Sequence, residues 1–186
     1  AAERNCAIAG SVAVCENGNY YNRFYFVYPD GAVQHYDKKH LFTFGGEHKR
    51  FTAGTERVVV NFRGVRILLE VCYDLRFPVW ARNLGDYDMI LYVASWPTPR
   101  VDAWSALLRA RAIENQCYVA GVNRMGVDPA CEYSGGSAII DPYGKTIAEC
   151  PWSRESAVSA DIGMEALQAF RKKFPVLDDA DPFTLI

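Results

Sequence analysis

The sequence has no long hydrophobic run and no excess of one charge, and both absences exclude classes of protein. No apolar run approaches the roughly 20 residues that a membrane-spanning helix needs, so we expect no membrane role. The 186 residues carry a formal net charge of -2, which argues against a surface built to bind nucleic acid or anionic lipid. Hydrophobic residues make up 50% and charged residues 23%, which predicts a globular chain with a sizeable core rather than disorder, a coiled coil or collagen.

Cysteine and histidine lack the spacings that disulfide frameworks and metal sites show. The six cysteines are dispersed without a CxxC pair, and most lie in apolar runs, where a free thiol behaves as a small hydrophobic residue. We therefore expect a reducing, cytoplasmic setting without a secretory leader. The three histidines form no i,i+4 pair and show no metal-ligand spacing, so we expect no metal ion.

Short apolar runs separated by turns predict a mixed α/β fold. Strands are predicted at residues 6–15, 20–28, 32–36, 58–62, 65–71, 89–94, 118–122, 137–140 and 157–162, and helices at residues 78–84, 102–116 and 164–173. Asp102 is the predicted N-cap of the second helix. Strand–helix–strand alternation between residues 65 and 122, with hairpins towards both ends, favours a mixed sheet covered by helices. Residues 37–55 predict a long loop, which is usually functional, and residues 125–133 predict a lid-like loop.

The strand that ends at Cys72 has the form of a junction that presents a nucleophile. The strand fixes the side chain, and the backbone N–H just after the thiol can receive an oxyanion as it forms. The N-terminus of a following helix and a nearby ammonium would lower the pKa of the thiol. The alternative is a buried structural cysteine, which is the commoner situation when position alone is considered.

Four further residues are candidates for the same site. Lys38, at the start of the long loop, would stabilise a negatively charged tetrahedral intermediate, although most lysines are simply solvated. Glu47 is either a surface charge or the carboxylate that orients this lysine. Arg100 and Trp96 follow the strand at residues 89–94, where the arginine would hold a substrate carboxylate and the tryptophan would form a pocket wall. The alternatives are an exposed arginine and a core tryptophan.

Taken in chain order, several segments resemble the nitrilase, or carbon–nitrogen hydrolase, superfamily. These segments are residues 36–42, 46–48, 71–78, 94–97, 109–116, 121–124, 134–137 and 141–144. Residues 37–42 and 95–97 are most similar to the omega-amidase branch, which hydrolyses the terminal amide of acids of the 2-oxoglutaramate type. The resemblance implies an α-β-β-α sandwich, one hydrolase domain over residues 1–186, no cofactor, and a homodimer or larger homo-oligomer.

The resemblance also implies roles for the candidate residues. Cys72 matches the nucleophile, which attacks the amide carbon, expels ammonia and leaves a thioester for water to cleave. Lys38 matches the lysine that holds the oxyanion together with the backbone N–H of Tyr73. Glu47 matches an auxiliary glutamate beside the lysine.

The sequence departs from the family at the general base. The family places this glutamate well upstream of the lysine motif, but only Glu3 and Glu16 precede Lys38, and neither has a matching context. We therefore expect a chain shortened at its N-terminus that lacks the first strand–helix unit. Two hypotheses follow: an amidase that acts on the omega-amide of a dicarboxylic or 2-oxo dicarboxylic acid, and a non-catalytic relative that keeps the fold and the subunit contacts. Hydrolysis of N-carbamoyl compounds or nitriles is the alternative within the enzyme class.

Overall fold

Two β-sheets face each other in the computed structural model, which describes residues 1–184. The strands and helices are β1 (Ile8–Glu16), β2 (Asn19–Val27), β3 (Val33–Asp37), β4 (Val59–Phe62), β5 (Val65–Val71), β6 (Met89–Ala94), α1 (Val101–Glu114), β7 (Tyr118–Asn123), β8 (Met125–Val127), β9 (Glu132–Ser134), β10 (Ala138–Ile140), β11 (Thr146–Glu149) and α2 (Met164–Lys173). β1, β2 and β3 form a three-stranded antiparallel sheet. The larger sheet has six strands in the order β11-β10-β7-β6-β5-β4, and β8 and β9 form a separate hairpin.

The centre of the six-stranded sheet is parallel, and this arrangement positions the candidate site. β5, β6 and β7 run in the same direction. At the two sides the pairing is antiparallel, between β4 and β5, between β10 and β7, and between β11 and β10. The carboxyl ends of parallel strands meet at one edge of a sheet, which is where ligands bind in open α/β folds. Cys72 follows β5, Ser95 follows β6 and Arg124 follows β7 at this edge.

The six-stranded sheet has an apolar core on each of its faces. Successive residues of a strand point to opposite faces, so Leu69 and Val71 of β5 lie in the core that contains Phe24 of the three-stranded sheet, while the alternate residues face α1. Helix α1 approaches β7 closely because Gly121 has no side chain. A Cβ at this position would lie 2.6 Å from a methyl group of Leu108. Gly121 thus sets the distance between the helix and the sheet.

The predicted helix at residues 78–84 is wrong, since this segment forms turns. Asn83 explains the difference through hydrogen bonds to Tyr87 nearby and to Asn115, which is 32 positions away. Its Nδ2 donates to the carbonyl oxygens of Tyr87 and Asn115, and its backbone N–H donates to the side chain of Asn115. These bonds fix the backbone in a non-helical course that the local sequence does not reveal.

Other predicted boundaries also differ from the structure. Residues 157–162 form no strand, and β11, which was not predicted, takes the position beside β10 instead. Residues 125–133, predicted as a loop, contain most of the β8–β9 hairpin. Helix α1 begins at Val101 with Arg100 at its N-cap, so Asp102 lies in the first turn. Its negative charge still suits the N-terminus of the helix.

Among the residues that the structure describes, helices cover only the larger sheet. Within residues 1–184, α1 packs on the six-stranded sheet, and α2 closes one end of it through Arg171, which donates to the carbonyl oxygens of Tyr87 and Gln116. The described part of the α-β-β-α sandwich therefore consists of a helical layer and two sheets. Neither helix is long and apolar enough to cross a membrane. All six cysteines are free thiols.

Candidate active site

A cavity of about 570 Å³ opens at the carboxyl edge of the central parallel strands. All six residues predicted from the sequence line it: Lys38, Glu47, Cys72, Tyr73, Trp96 and Arg100. Residues of β1, of the loop after β3 and of the β8–β9 hairpin complete the wall. Segments that are far apart in the sequence therefore surround one space, and its volume suits a small-molecule ligand.

Cys72 lies in a strained turn directly after β5. Its φ of 50° falls in the left-handed region, which residues other than glycine rarely adopt and which is concentrated at functional sites. A short 3-10 helix, Cys72–Arg76, follows at once. The sulfur lies 3.9 Å from the carbonyl oxygen of Ser95, at the end of the neighbouring strand. A sharp turn from a strand into a helix exposes a reactive side chain in the same way in nucleophile elbows.

The Cys72 thiol is protonated in the resting site. Burial raises the pKa of Cys72, the Lys38 ammonium acts in the opposite direction, and the net result is a pKa above the ordinary value. The prediction of a lowered thiol pKa is therefore wrong, because removal of the sulfur from water outweighs the nearby positive charge. A neutral thiol needs a proton acceptor before it becomes a strong nucleophile.

Lys38 and Glu47 form a buried ion pair in the cavity wall. The Lys38 side chain is 3% exposed, and its Nζ donates to Glu47 Oε2 at 2.6 Å. Glu47 also accepts hydrogen bonds from the backbone N–H of Phe42 at 2.6 Å and from Asn22 Nδ2 at 3.2 Å. Burial alone would raise the pKa of Glu47, but Lys38 and these hydrogen bonds hold it below its ordinary value. Glu47 is therefore an ionised carboxylate that orients the lysine.

Two kinds of hydrogen-bond donor remain available to a ligand. The ammonium of Lys38 has three N–H groups, and among the described residues it meets one acceptor, Glu47. The backbone N–H of Tyr73 lies in the first turn of the 3-10 helix, where such groups have no partner within the helix. Lys38 and Tyr73 both line the cavity that Cys72 lines.

A buried carboxylate that the sequence analysis did not single out connects the two halves of the site. Asp74 is fully buried and accepts four hydrogen bonds of 2.8–3.0 Å, from the backbone N–H groups of Val71 and His40, from His40 Nδ1 and from the Tyr36 hydroxyl. Val71 directly precedes the cysteine, whereas Tyr36 and His40 lie two residues on either side of the lysine. Asp74 therefore fixes the lysine loop to the strand end that carries the thiol.

Trp96, Arg100 and Arg76 form another part of the wall. Trp96 is 3% exposed, and its Nε1 donates to the carbonyl oxygen of Arg100 at 2.7 Å. The guanidinium of Arg76 lies 5.1 Å from the centroid of the Trp96 ring, and that of Arg100 lies 5.4 Å from the centroid of Phe42. Trp96 is thus a core tryptophan that also forms part of the cavity wall, so both interpretations given in the sequence analysis apply to it. Arg76 was not predicted as a site residue, although it lies within the segment at residues 71–78 that resembles the family.

Glu47 is the one carboxylate that lines the cavity among residues 1–184. Because its oxygens are engaged, this part of the chain offers no free carboxylate to accept the thiol proton. The same residues contain no group of three or more His, Cys, Asp or Glu side chains placed to hold a metal ion. The wall combines a thiol, an ammonium and a backbone N–H, which are the groups needed for addition of sulfur to a carbonyl or nitrile carbon.

Comparison with solved structures assigns the fold to a class of hydrolases. The structure matches a CN-hydrolase superfamily protein from Xanthomonas campestris with a TM-score of 0.94 and 47% identity, over 97% of this chain and 71% of that chain. That protein was described with an arsenic adduct in its active site. The fold class predicted from the sequence is therefore confirmed.

Sequence comparison identifies the family within this class. The model of the carbon–nitrogen hydrolase family matches residues 1–172. Omega-amidase YafV from Escherichia coli (strain K12) is 53% identical over 182 residues, which cover 97% of this chain and 71% of that protein. The 2-oxoglutaramate amidase from Bacillus subtilis (strain 168) is 41% identical over 175 residues, which cover 92% of this chain and 67% of that protein. The chain belongs to the carbon–nitrogen hydrolase family, as the resemblance predicted.

Proposed function

We propose that this chain hydrolyses the terminal amide of a small dicarboxylic or 2-oxo dicarboxylic acid and releases ammonia. The two relatives named above are an omega-amidase and a 2-oxoglutaramate amidase, and each matches more than nine-tenths of this chain, at 97% and 92%. The observation that carries the proposal is the position of the Cys72 thiol and the ion-paired Lys38 in the wall of one cavity.

The first half of the reaction forms a thioester. Cys72 Sγ adds to the carbonyl carbon of the amide, and the thiol proton passes to the amide nitrogen. Negative charge develops on the carbonyl oxygen, where the free N–H donors of Lys38 and the backbone N–H of Tyr73 stabilise it. The C–N bond then breaks, ammonia leaves, and the acyl group stays on the sulfur as a thioester.

The second half returns the site to its starting state. A water molecule adds to the thioester carbonyl, and the same donors stabilise the second oxyanion. The C–S bond breaks, the carboxylic acid leaves, and the sulfur recovers a proton. Glu47 carries no proton in either half, because its oxygens already accept hydrogen bonds from Lys38, Phe42 and Asn22. Its role is to hold the lysine in place.

Proton transfer is the step for which residues 1–184 offer no free carboxylate. General acid–base catalysis contributes roughly 10²–10⁴-fold to such reactions, so we expect slow turnover when the thiol proton moves through water alone. Formate, a small external base, should then raise the rate of ammonia release, and a rate independent of formate contradicts this part of the proposal.

Arg100 and Trp96 are the residues that we assign to substrate binding. The guanidinium would hold the substrate carboxylate, and the indole ring would pack against the carbon chain. N-carbamoyl compounds and nitriles are the alternative substrates within the family. Hydrolysis of an N-carbamoyl compound yields carbon dioxide together with ammonia, so measurement of both products across a substrate panel separates these classes.

We also propose a homodimer or larger homo-oligomer in a reducing, cytoplasmic setting. The free state of all six cysteines supports a reducing compartment. Trp104 and Leu108 are buried against the sheet, so α1 offers a partner only its outer side, which includes the exposed Ile113. Sedimentation of the purified chain at several concentrations measures the oligomeric state.

Ammonia release from 2-oxoglutaramate and succinamate tests the proposed function. The chain should act on both, Cys72→Ala should act on neither, and Cys15→Ala, which removes an exposed thiol outside the cavity, should match the unmodified chain. Because Cys6 and Cys15 are exposed, alkylation alone does not report on the site. Protection of Cys72 from iodoacetamide by bound succinamate does report on the site. Ammonia release by Cys72→Ala at the unmodified rate contradicts the proposal.

A further inference from the structure

Glu70 is a fully buried carboxyl group near the thiol in the sequence, and the proposed reaction does not use it. It lies two residues before Cys72 in β5, and neither of its carboxyl oxygens has a hydrogen-bond partner among residues 1–184. We propose that Glu70 is a positioning residue that acts in its protonated form: the neutral carboxyl group keeps Cys72 and the backbone N–H of Tyr73 in place, and its ionisation displaces them. Because Cys72 and Tyr73 act in the proposed amidase reaction, this role rests on the proposed function.

The sheet places Glu70 on the side that helix α1 covers. Side chains alternate along β5, so Glu70 points to the same face as Leu68, which packs in the core against α1. Its register partner on β6 is Tyr92, whose hydroxyl is also buried without a hydrogen-bond partner among residues 1–184. Arg111 of α1 is 3% exposed, and within the same residues its Nε has no partner either. The surroundings of Glu70 are therefore buried polar groups to which it is not bonded.

Asp74 is the second buried carboxyl group of this region, and it has the donors that Glu70 lacks. It accepts four hydrogen bonds, one of them from the backbone N–H of Val71, which directly follows Glu70. Four donors stabilise an ionised carboxylate, whereas a buried carboxyl group with none is more stable in its protonated form. The like charge of a neighbouring carboxylate disfavours ionisation further. The two groups therefore carry one negative charge between them, and it lies on Asp74.

Burial outweighs the opposing charges around Glu70. The titratable and charged groups that act on it come from several segments and are Tyr36, Arg57, Asp74, Tyr87, Tyr92 and Arg111. Burial raises the pKa of Glu70 well above 4.5, and the charge of Asp74 adds to this, whereas Arg57 and Arg111 act in the opposite direction. Fully buried glutamates lose their proton at about pH 8–9 in documented cases. Glu70 thus stays neutral at a pH where an exposed glutamate is ionised.

Ionisation of Glu70 would act on the 3-10 helix Cys72–Arg76 in two ways. A second negative charge beside Asp74 repels the carboxylate that fixes the strand end to the lysine loop. It also attracts the guanidinium of Arg111, which donates from its NH2 group to the carbonyl oxygen of Leu75, inside this helix, at 2.6 Å. Both effects displace the helix that follows the thiol. A misplacement of about 1 Å in a catalytic group costs roughly 100-fold in rate.

The pH dependence of kcat tests this role, because a merely structural glutamate would not alter it. With 2-oxoglutaramate, kcat of the folded fraction of the unmodified chain should fall at least about tenfold as the pH rises through the pKa of Glu70 in the folded protein. Glu70→Gln has the same shape and no charge, so its kcat should change less than about threefold over that range. KM should change little in either protein, since Glu70 does not line the cavity. An equal fall of kcat in Glu70→Gln overturns the inference.

Two further variants assign the effect to the Glu70 carboxyl group. Glu70→Asp keeps a group that ionises, so it should keep the fall of kcat at high pH. Tyr92→Phe is the matched control, because it removes another ionisable group beside Glu70, and it should keep the fall as well. A level profile in Tyr92→Phe would assign the effect to the tyrosine and overturn the inference. Infrared spectra at neutral pH should contain the C=O stretch of a protonated carboxyl group that Glu70→Gln lacks, and identical spectra would also overturn it.

Amide hydrogen exchange follows the turn at Cys72 without any catalysis. The peptide that contains residues 72–76 is compared at each pH between the unmodified chain and Glu70→Gln. Exchange should be equal below the pKa of Glu70 and at least about fivefold faster in the unmodified chain above it. This difference without ammonia release would contradict the amidase function and support the positioning role. Ammonia release with equal exchange at every pH would support the function and overturn the role.

Discussion

Asp74→Asn should weaken the contacts that hold the Cys72 strand end and the Lys38 loop together. The number of hydrogen bonds that Asp74 accepts determines how far the free energy of unfolding falls. The carboxylate accepts four hydrogen bonds, from two backbone N–H groups, a ring nitrogen and a hydroxyl. An asparagine keeps one acceptor oxygen and turns an NH₂ group towards two of these donors. Loss of two hydrogen bonds to a buried charge, at about 1.5–3 kcal/mol each, lowers the free energy of unfolding by about 3–6 kcal/mol.

Urea unfolding and steady-state kinetics together measure this effect. The variant should have a lower unfolding free energy, and its folded fraction should lose roughly 10- to 100-fold in kcat, because a small displacement of a catalytic group has that effect. KM should change less, since Asp74 does not line the cavity. Tyr36→Phe removes one of the four bonds and is the graded control, with a smaller change in both quantities. Unchanged stability or an unchanged kcat in Asp74→Asn would refute the positioning role.

Two further predictions concern the buried carboxylates Glu47 and Glu70. Glu47→Gln leaves the Lys38 ammonium without its counter-charge and should lower the unfolding free energy by about 3 kcal/mol. Folding lowers the pKa of Glu47 from 4.5. The difference in unfolding free energy between the unmodified chain and Glu47→Gln should therefore be present above pH 4.5 and disappear as the pH falls through the pKa of Glu47 in the folded protein. A difference in unfolding free energy that does not depend on pH contradicts this prediction. Glu70 is fully buried without a hydrogen-bond partner within residues 1–184, and burial, then the charge of Asp74, raise its pKa well above 4.5. The native state therefore keeps a proton that the unfolded chain releases, so unfolding free energies should show stability falling, relative to Glu70→Gln, as the pH rises above 4.5 towards the folded value. A constant difference between these two proteins would show that Glu70 does not titrate in this way.

The central strands were predictable because their signal is local. Mostly apolar runs at residues 65–71, where Arg66 and Glu70 are the charged exceptions, and at residues 89–94 indicated buried strands, and the structure has β5 and β6 at those bounds. The segment at residues 78–84 failed because its course depends on hydrogen bonds from Asn83 to Asn115, which is 32 positions away. A window of local sequence contains no information about such a partner.

The residues of the candidate site were likewise predictable only where the signal was local in the sequence. Cys72, Lys38 and Glu47 were identified from motifs whose order along the chain matches a family, and the fold brings them to one cavity. Asp74 and Arg76 lie inside one of those motifs, but their partners, Tyr36 and Trp96, come from other segments. The direction of the thiol pKa was also missed, because desolvation depends on all the atoms packed around the sulfur rather than on its neighbours in sequence.

Rapid acid quenching followed by peptide mass spectrometry tests the central claim most directly. During turnover of 2-oxoglutaramate, the peptide that contains Cys72 should carry the acyl group of the substrate as a thioester. The adduct should be absent from Cys72→Ala, which should also release no ammonia. Steady ammonia release from Cys72→Ala, or an acyl group found on another residue while Cys72 stays unmodified, would contradict the account.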